Sequence, residues 1–307
     1  MDPATVPLSW STALTTWHWD TGAALVVVVA SVCYGWASRR AGVPARRYAW
    51  WFFVGVALVI AATLSVVGAY AAVLFWVRAL QVLLLLFVAP FFLAMGRPVT
   101  VISHALGTTD RLDGVLQSRA VRMLAHPATT SVAMLATPWL LYLTPWYAAA
   151  LRHPPLASAT NALLLLIGFA YFYVRLQTDP VPRRYSQLIS LVISIVESLG
   201  DGVLGIVLWL GPLIAVDYYM HIGRHWGPSL RVDQSIGAGV LWLLGDVLGI
   251  GFIVVLMRFF SADEKSRAAA VDAELDRAER DTATDSEPPS GLWWENDPQL
   301  RDRMRRT

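Results

Sequence analysis

Four ionisable side chains fall inside long apolar runs of this chain: Arg78, Glu197, Asp201 and Asp246. A charge left alone at the centre of a bilayer helix costs about 2.5–3.5 kcal/mol on insertion scales. Each must therefore face the interior of a helix bundle, where it serves as half of an ion pair, as part of a proton or ion path, or as a metal ligand. Glu197 and Asp201 are four residues apart and project from one helix face. Arg78 lies roughly two turns into its run and Asp201 at a matching depth in its own, so an Arg78–Asp201 pair is expected. Glu197 and Asp246 both fall near mid-run. A second constellation is Met220, His221 and His225. Two imidazoles four residues apart with a thioether suit copper on a helical turn; ordinary interfacial histidines are the alternative, and Gly223 and Gly227 count against a helix there.

Composition says what must position these groups. The chain has 307 residues, 56% hydrophobic and 15% charged, where a soluble domain carries about 25% charged residues. Its single lysine, Lys265, leaves no basic stripe, so nucleic acid is not an expected partner. The lone Cys33 forbids an internal disulfide and a CxxC metal site. Fourteen tryptophans and seventeen prolines fit kinked, lipid-embedded helices ringed by interfacial aromatics. The expected class is an all-α polytopic membrane bundle, multi-pass in the cell membrane, with the lipid bilayer as its first partner.

A spanning helix needs about 20 apolar residues. Seven runs qualify: Thr21 to Ala37; a pair within Tyr48 to Gly96 turning near Gly68, Ala69 and Tyr70; Pro127 to Tyr147, weakened by Pro138 and Pro145; Pro154 to Val174; Tyr185 to Val216; and Gln234 to Met257. The odd-numbered connections collect Arg39, Arg40, Arg46, Arg47, Arg97, Arg111, Arg119, Arg122, Arg175, Arg183 and Arg184. The N-terminal segment and the even connections hold only Arg152, Arg224 and Arg231. By the positive-inside rule the N-terminus is outside and the C-terminus cytoplasmic, as seven spans require. Residues 1–20 lack a basic n-region, so the first span reads as an anchor rather than a signal peptide. Glycines in the last two spans, among them Gly200, Gly205, Gly237, Gly239 and Gly245, predict close helix approach.

Residues 1–260 form the expected membrane domain and 261–307 a cytoplasmic tail with twelve acids and eight bases. Lys265 to Asp281 reads as an exposed charged helix. Beyond it, Trp293 and Trp294 with Arg301, Arg303, Arg305 and Arg306 suit a partner or an anionic leaflet.

The run from Leu74 to Pro98 resembles the signature of the CtaG family of multi-pass cytochrome c oxidase assembly proteins. That signature has the form Leu-Phe-Ser-x-His-Met-x-x-His-Leu-Leu, followed by Ala-Pro and Gly-x-Pro. This chain supplies Leu74-Phe75, Gln81, Leu83-Leu84, Ala89-Pro90 and Gly96-Arg97-Pro98. Gly168 with Asp179-Pro180 is similar to the family's fifth span and following loop. Asp233-Gln234 with Gly237 and Leu241-Trp242 is similar to the start of its last span. The resemblance implies the family's bundle fold, a non-enzymatic role in oxidase biogenesis, and respiratory oxidase subunits or other membrane proteins as partners. It also implies where the family holds copper: two histidines in the third span and one in the fifth, in the outer half of the bundle. Those positions are Arg78, Val82 and Asn161 here. A guanidinium stays protonated and cannot ligate, and valine has no donor atom.

The expected function is an assembly factor whose copper handling is lost, or displaced to Met220, His221 and His225. The sequence leaves the cofactor open, with copper as the one candidate it suggests. A transporter or channel using Arg78, Glu197, Asp201 and Asp246 is the alternative, with a structural accessory subunit of a respiratory complex as a further one. No His-Glu-x-x-His or Gly-x-Ser-x-Gly motif points to catalysis.

Overall fold

The computed structural model describes residues 3, 5–41, 45–108, 114, 118–177, 179–180, 187–251, 253–254, 257 and 271–277. Every regular element among them is a helix. The chain divides into two units, Met1–Gly251 and Phe252–Thr307. In the second, residues 271–277 form a helix whose Val271 and Leu275 are exposed. The expected boundary at 260, Trp293, Trp294 and the terminal arginines lie outside the described residues.

Six helices of the first unit are long and apolar enough to cross a membrane: Thr21–Arg40, Tyr48–Tyr70, Phe75–Met95, Pro154–Leu176, Ile193–Leu210 and Leu230–Gly251. At about 1.5 Å per residue their 18–23 residues reach about 27–35 Å. The expected Pro127 to Tyr147 span is a helix of 17 residues, Pro127–Leu143. Pro138 interrupts its ladder, Thr144 is extended, and Trp146–Arg152 begins a separate short helix. The expected turn at Gly68 to Tyr70 also moves: Val66–Tyr70 is helical, and the reversal falls at 71–74. Among the described residues the seven expected spans thus appear as six long helices and one short one.

The Phe75–Met95 helix sits in the middle. Two-thirds of it is buried (67%), against 11–39% for the other long helices. The Tyr48, Pro154 and Leu230 helices pack around it, the Thr21 helix lies outside the Tyr48 helix, and the Pro127 and Ile193 helices close the far side. Apolar side chains on the outer helices face away from the protein, including Leu25, Leu166, Leu210 and Ile250. Lipid is the solvent that accepts such a surface.

The central helix carries a π turn at Leu84–Val88. Pro90 has no amide hydrogen, so the Leu86 carbonyl loses its partner four residues on, and the turn widens until Ala89 N–H reaches Leu84. Gly168 of the Pro154 helix is pressed against that widened turn: a Cβ there would lie 2.1 Å from the Leu86 carbonyl oxygen and 2.6 Å from Pro90. Gly237 lets the Leu230 helix approach Phe75 and Trp76 in the same way. Gly200 and Gly205 abut Leu135 and Trp242, as expected, whereas Gly239 and Gly245 have nothing near enough to explain them by packing.

Candidate functional site

The first turns of the central helix meet the ends of three others around a cavity of about 430 Å³. Arg78 and Gln81 lie on its wall with Asn161 of the Pro154 helix. Arg78 is 4% exposed. Its Nη1 donates to the Gln81 side-chain oxygen and, at 2.9 Å, to Asn161 Oδ1. Gln81 in turn donates to the Ala62 carbonyl at 2.6 Å. Arg78 Nη2 is buried with no hydrogen-bond partner. Two of the three positions that the resemblance assigns to histidine are thus hydrogen-bonded neighbours. The third, Val82, is buried and lines a smaller void with Asp201.

Arg78 does not make the expected ion pair with Asp201; its Nη1 turns to the neutral amides of Gln81 and Asn161 instead. Nor does the donor set fit copper. A guanidinium and two amides face this cavity, and its single lining imidazole is His18. Among the described residues no group of three His, Cys, Asp or Glu is placed to hold a metal. Met220 and His221 sit at the exposed end of Val216–Ile222, and Gly223 stops that helix in the left-handed region (φ 66°), so His225 does not share a helical face with them.

The other three intramembrane charges lie near one another and away from Arg78, with Asp201 within electrostatic reach of both Glu197 and Asp246. Glu197 accepts from Tyr171 Oη at 2.7 Å and pairs with Arg175 at 3.4 Å. Arg175, expected in a cytoplasmic loop, is 1% exposed, because the Pro154 helix runs on to Leu176 and carries it inside. Asp246 accepts from Ser198 at 2.6 Å.

The aspartates of the motif explain themselves through helix ends. Leu74 offers no side-chain cap to the Phe75 helix, and Asp233 supplies one from across the bundle, accepting from Phe75 N–H at 3.1 Å and Trp76 N–H at 3.0 Å. Arg224 balances the buried carboxylate at 3.3 Å. Gln234 ties the end of the Ile193 helix by donating to the Leu208 and Pro212 carbonyls and accepting from Ile214 N–H. Asp179 treats the Pro98–Leu106 helix as Asp233 treats the Phe75 helix: its carboxylate accepts from Val99 N–H at 3.3 Å and Thr100 N–H at 3.1 Å, and from the Thr100 hydroxyl. Burial pushes the Asp179 carboxyl above its ordinary range, against the opposing pull of these hydrogen bonds and of Arg97. Replacing Asp179 with alanine should cost about 1 kcal/mol in thermal unfolding, the usual worth of a helix cap, and asparagine should restore part of it. Arg175, Arg224 and the reach of both aspartates escaped sequence reasoning. The spacing of Tyr171 and Arg175, four apart on one helix face, was the available signal for the first.

A bundle of long apolar helices, with helix ends capped by buried aspartates, defines a multi-pass helical membrane protein. The profile of the cytochrome c oxidase caa3 assembly factors, the Caa3_CtaG family, matches residues 29–262, and the chain belongs to that family. It is similar to uncharacterized proteins of Mycobacterium bovis and Mycobacterium tuberculosis, each 28% identical over 287 residues, covering 88% of this chain and 43% of theirs. An uncharacterized protein of Mycobacterium leprae is 26% identical over 277 residues, covering 85% and 42%. The chain spans less than half the length of these curated relatives. No solved structure matches it significantly.

Proposed function

We propose that this protein is a non-catalytic assembly factor for a membrane-bound cytochrome c oxidase, residing in the cell membrane and acting on oxidase subunits. In this reading the Pro127 helix is a seventh span at the short end of the range, about 17 residues. The N-terminus is then outside, the C-terminus cytoplasmic, and the Arg78 cavity opens on the outer face. Family membership supports the oxidase connection. The observation that carries the finer statement is the Arg78–Asn161 hydrogen bond, which fills the positions where the resemblance implies histidine ligands with a fixed cation and an amide. A cation site is thereby replaced by a repulsive one, so the assistance given to the oxidase does not pass through copper at these residues.

Deletion of the gene tests the reading. Mature oxidase should fall while its transcripts persist, and Arg78→His should not be needed for complementation. Normal oxidase content and activity in the deletion strain would overturn it.

A further inference from the structure

We propose that the void beside Asp201 is a binding site for a small monovalent cation, sodium or hydronium. Glu197, Asp201, Leu204 and Leu208 follow one another at helical spacing on the Ile193 helix, and Leu204 and Leu208 are 2% and 1% exposed, so the stripe faces inward. Asp201 thereby lines a space of about 50 Å³ between its own helix, the central helix and the Pro127 and Leu230 helices. One water-sized guest needs about 10–15 Å³. Among the described residues no hydrogen bond reaches the Asp201 carboxylate, whereas Glu197 has Tyr171 and Asp246 has Ser198. The charges within its reach, Glu197 on its own helix and Asp246 on the Leu230 helix, share its sign, and Arg175 of the Pro154 helix is paired with Glu197. The central and Pro127 helices turn only apolar residues to the void. A carboxylate without a donor in the bilayer interior is costly, and a bound cation removes the cost. The backbone around the void gives the same sign. Pro138 has no amide hydrogen, so the Met134 carbonyl loses its partner four residues on, and both residues line the void. Leu86 and Phe87 belong to the π turn of the central helix, and Leu241 to a second π turn, Val240–Leu244. Such turns recur at functional sites. Interrupted backbone in a bilayer is tolerated where it lines a cavity, and its carbonyls are partners for sodium ions and protons. Asp201 is the single carboxylate in the lining, which does not suit a divalent ion that takes several. The inference does not rest on the assembly role, and either can fail alone.

The test uses the full chain purified in detergent with choline chloride. Its melting temperature is followed against sodium chloride replacing choline at constant ionic strength and, separately, in choline alone as the pH is lowered. A saturable rise with sodium identifies the metal ion, and a rise on acidification alone identifies hydronium; either supports the site when Asp201→Asn, which keeps the shape and removes the charge, loses it. Val82→Ile narrows the void without touching a charge and should weaken the response at least about fivefold, as overpacking would. Asp246→Asn removes a like charge from the surroundings of Asp201 and should weaken binding about threefold. This last variant decides the matter if Asp201→Asn does not fold. No response to either cation, an unaltered response in Asp201→Asn or Val82→Ile, or unchanged or tighter binding in Asp246→Asn would each overturn the proposal.

Discussion

Asp233→Ala should destabilise the bundle by about 3–5 kcal/mol, the loss expected when one partner of a buried ion pair is removed. Three interactions go at once. Phe75 and Trp76 lose the acceptor that satisfies their amides, and Arg224, whose side chain is 6% exposed, loses its carboxylate. Asp233 itself is 1% exposed, so water cannot replace it without opening the packing between the Leu230 helix and the central one. Asp233→Asn should recover part of the loss, because the amide oxygen can still accept from one of the two N–H groups while the charge on Arg224 stays uncompensated. Thermal unfolding in detergent reads the series. An alanine variant within about 0.5 kcal/mol of the parent, the range of ordinary surface changes, would remove the capping role.

The second large effect belongs to Gly168. Alanine there places a methyl group 2.1 Å from the Leu86 carbonyl oxygen. That atom is backbone and cannot rotate aside, so the Pro154 helix must move off the central helix. Overpacking of this kind costs about 1–3 kcal/mol. Gly239→Ala is the matched control, since nothing lies within 4 Å of a Cβ at that position. It should be neutral or stabilising by up to about 1 kcal/mol, from helix propensity alone. Opposite signs for two glycine-to-alanine changes would show that close approach, not backbone flexibility, keeps Gly168. Equal effects would refute that explanation.

Much of the fold was legible because its signals are long. Runs of 20 apolar residues mark spans without any knowledge of packing, and Leu74 to Pro98 marks the central helix. The shorter signals misled for physical reasons. Counting basic residues near helix ends places Arg175 in a loop, because that rule treats each as water-exposed. Its helix runs two residues further, to Leu176, and delivers it to Glu197. Matching depth along the two helices points Arg78 at Asp201. Depth says nothing about azimuth, and on the face Arg78 presents the neighbours are Gln81 and Asn161. The turn expected at Gly68 to Tyr70 failed because Ser65 caps a further helical turn by accepting from Val67 N–H. Asp179 and Asp233 were visible as motif residues, but sequence carries no hint that each would serve a helix 79 and 157 residues away.

That reach sets an order of events during synthesis. The amides of Phe75 and Trp76 emerge long before Asp233 does, and at about 5–20 residues per second the delay over 157 residues is about 8–31 s. Through that interval the most buried helix of the protein has an unfinished end. The last span is therefore the clasp of the structure: until it arrives, the central helix can be inserted but not locked, and a chaperone or a client that engages the nascent bundle has a window of seconds in which its core is still open.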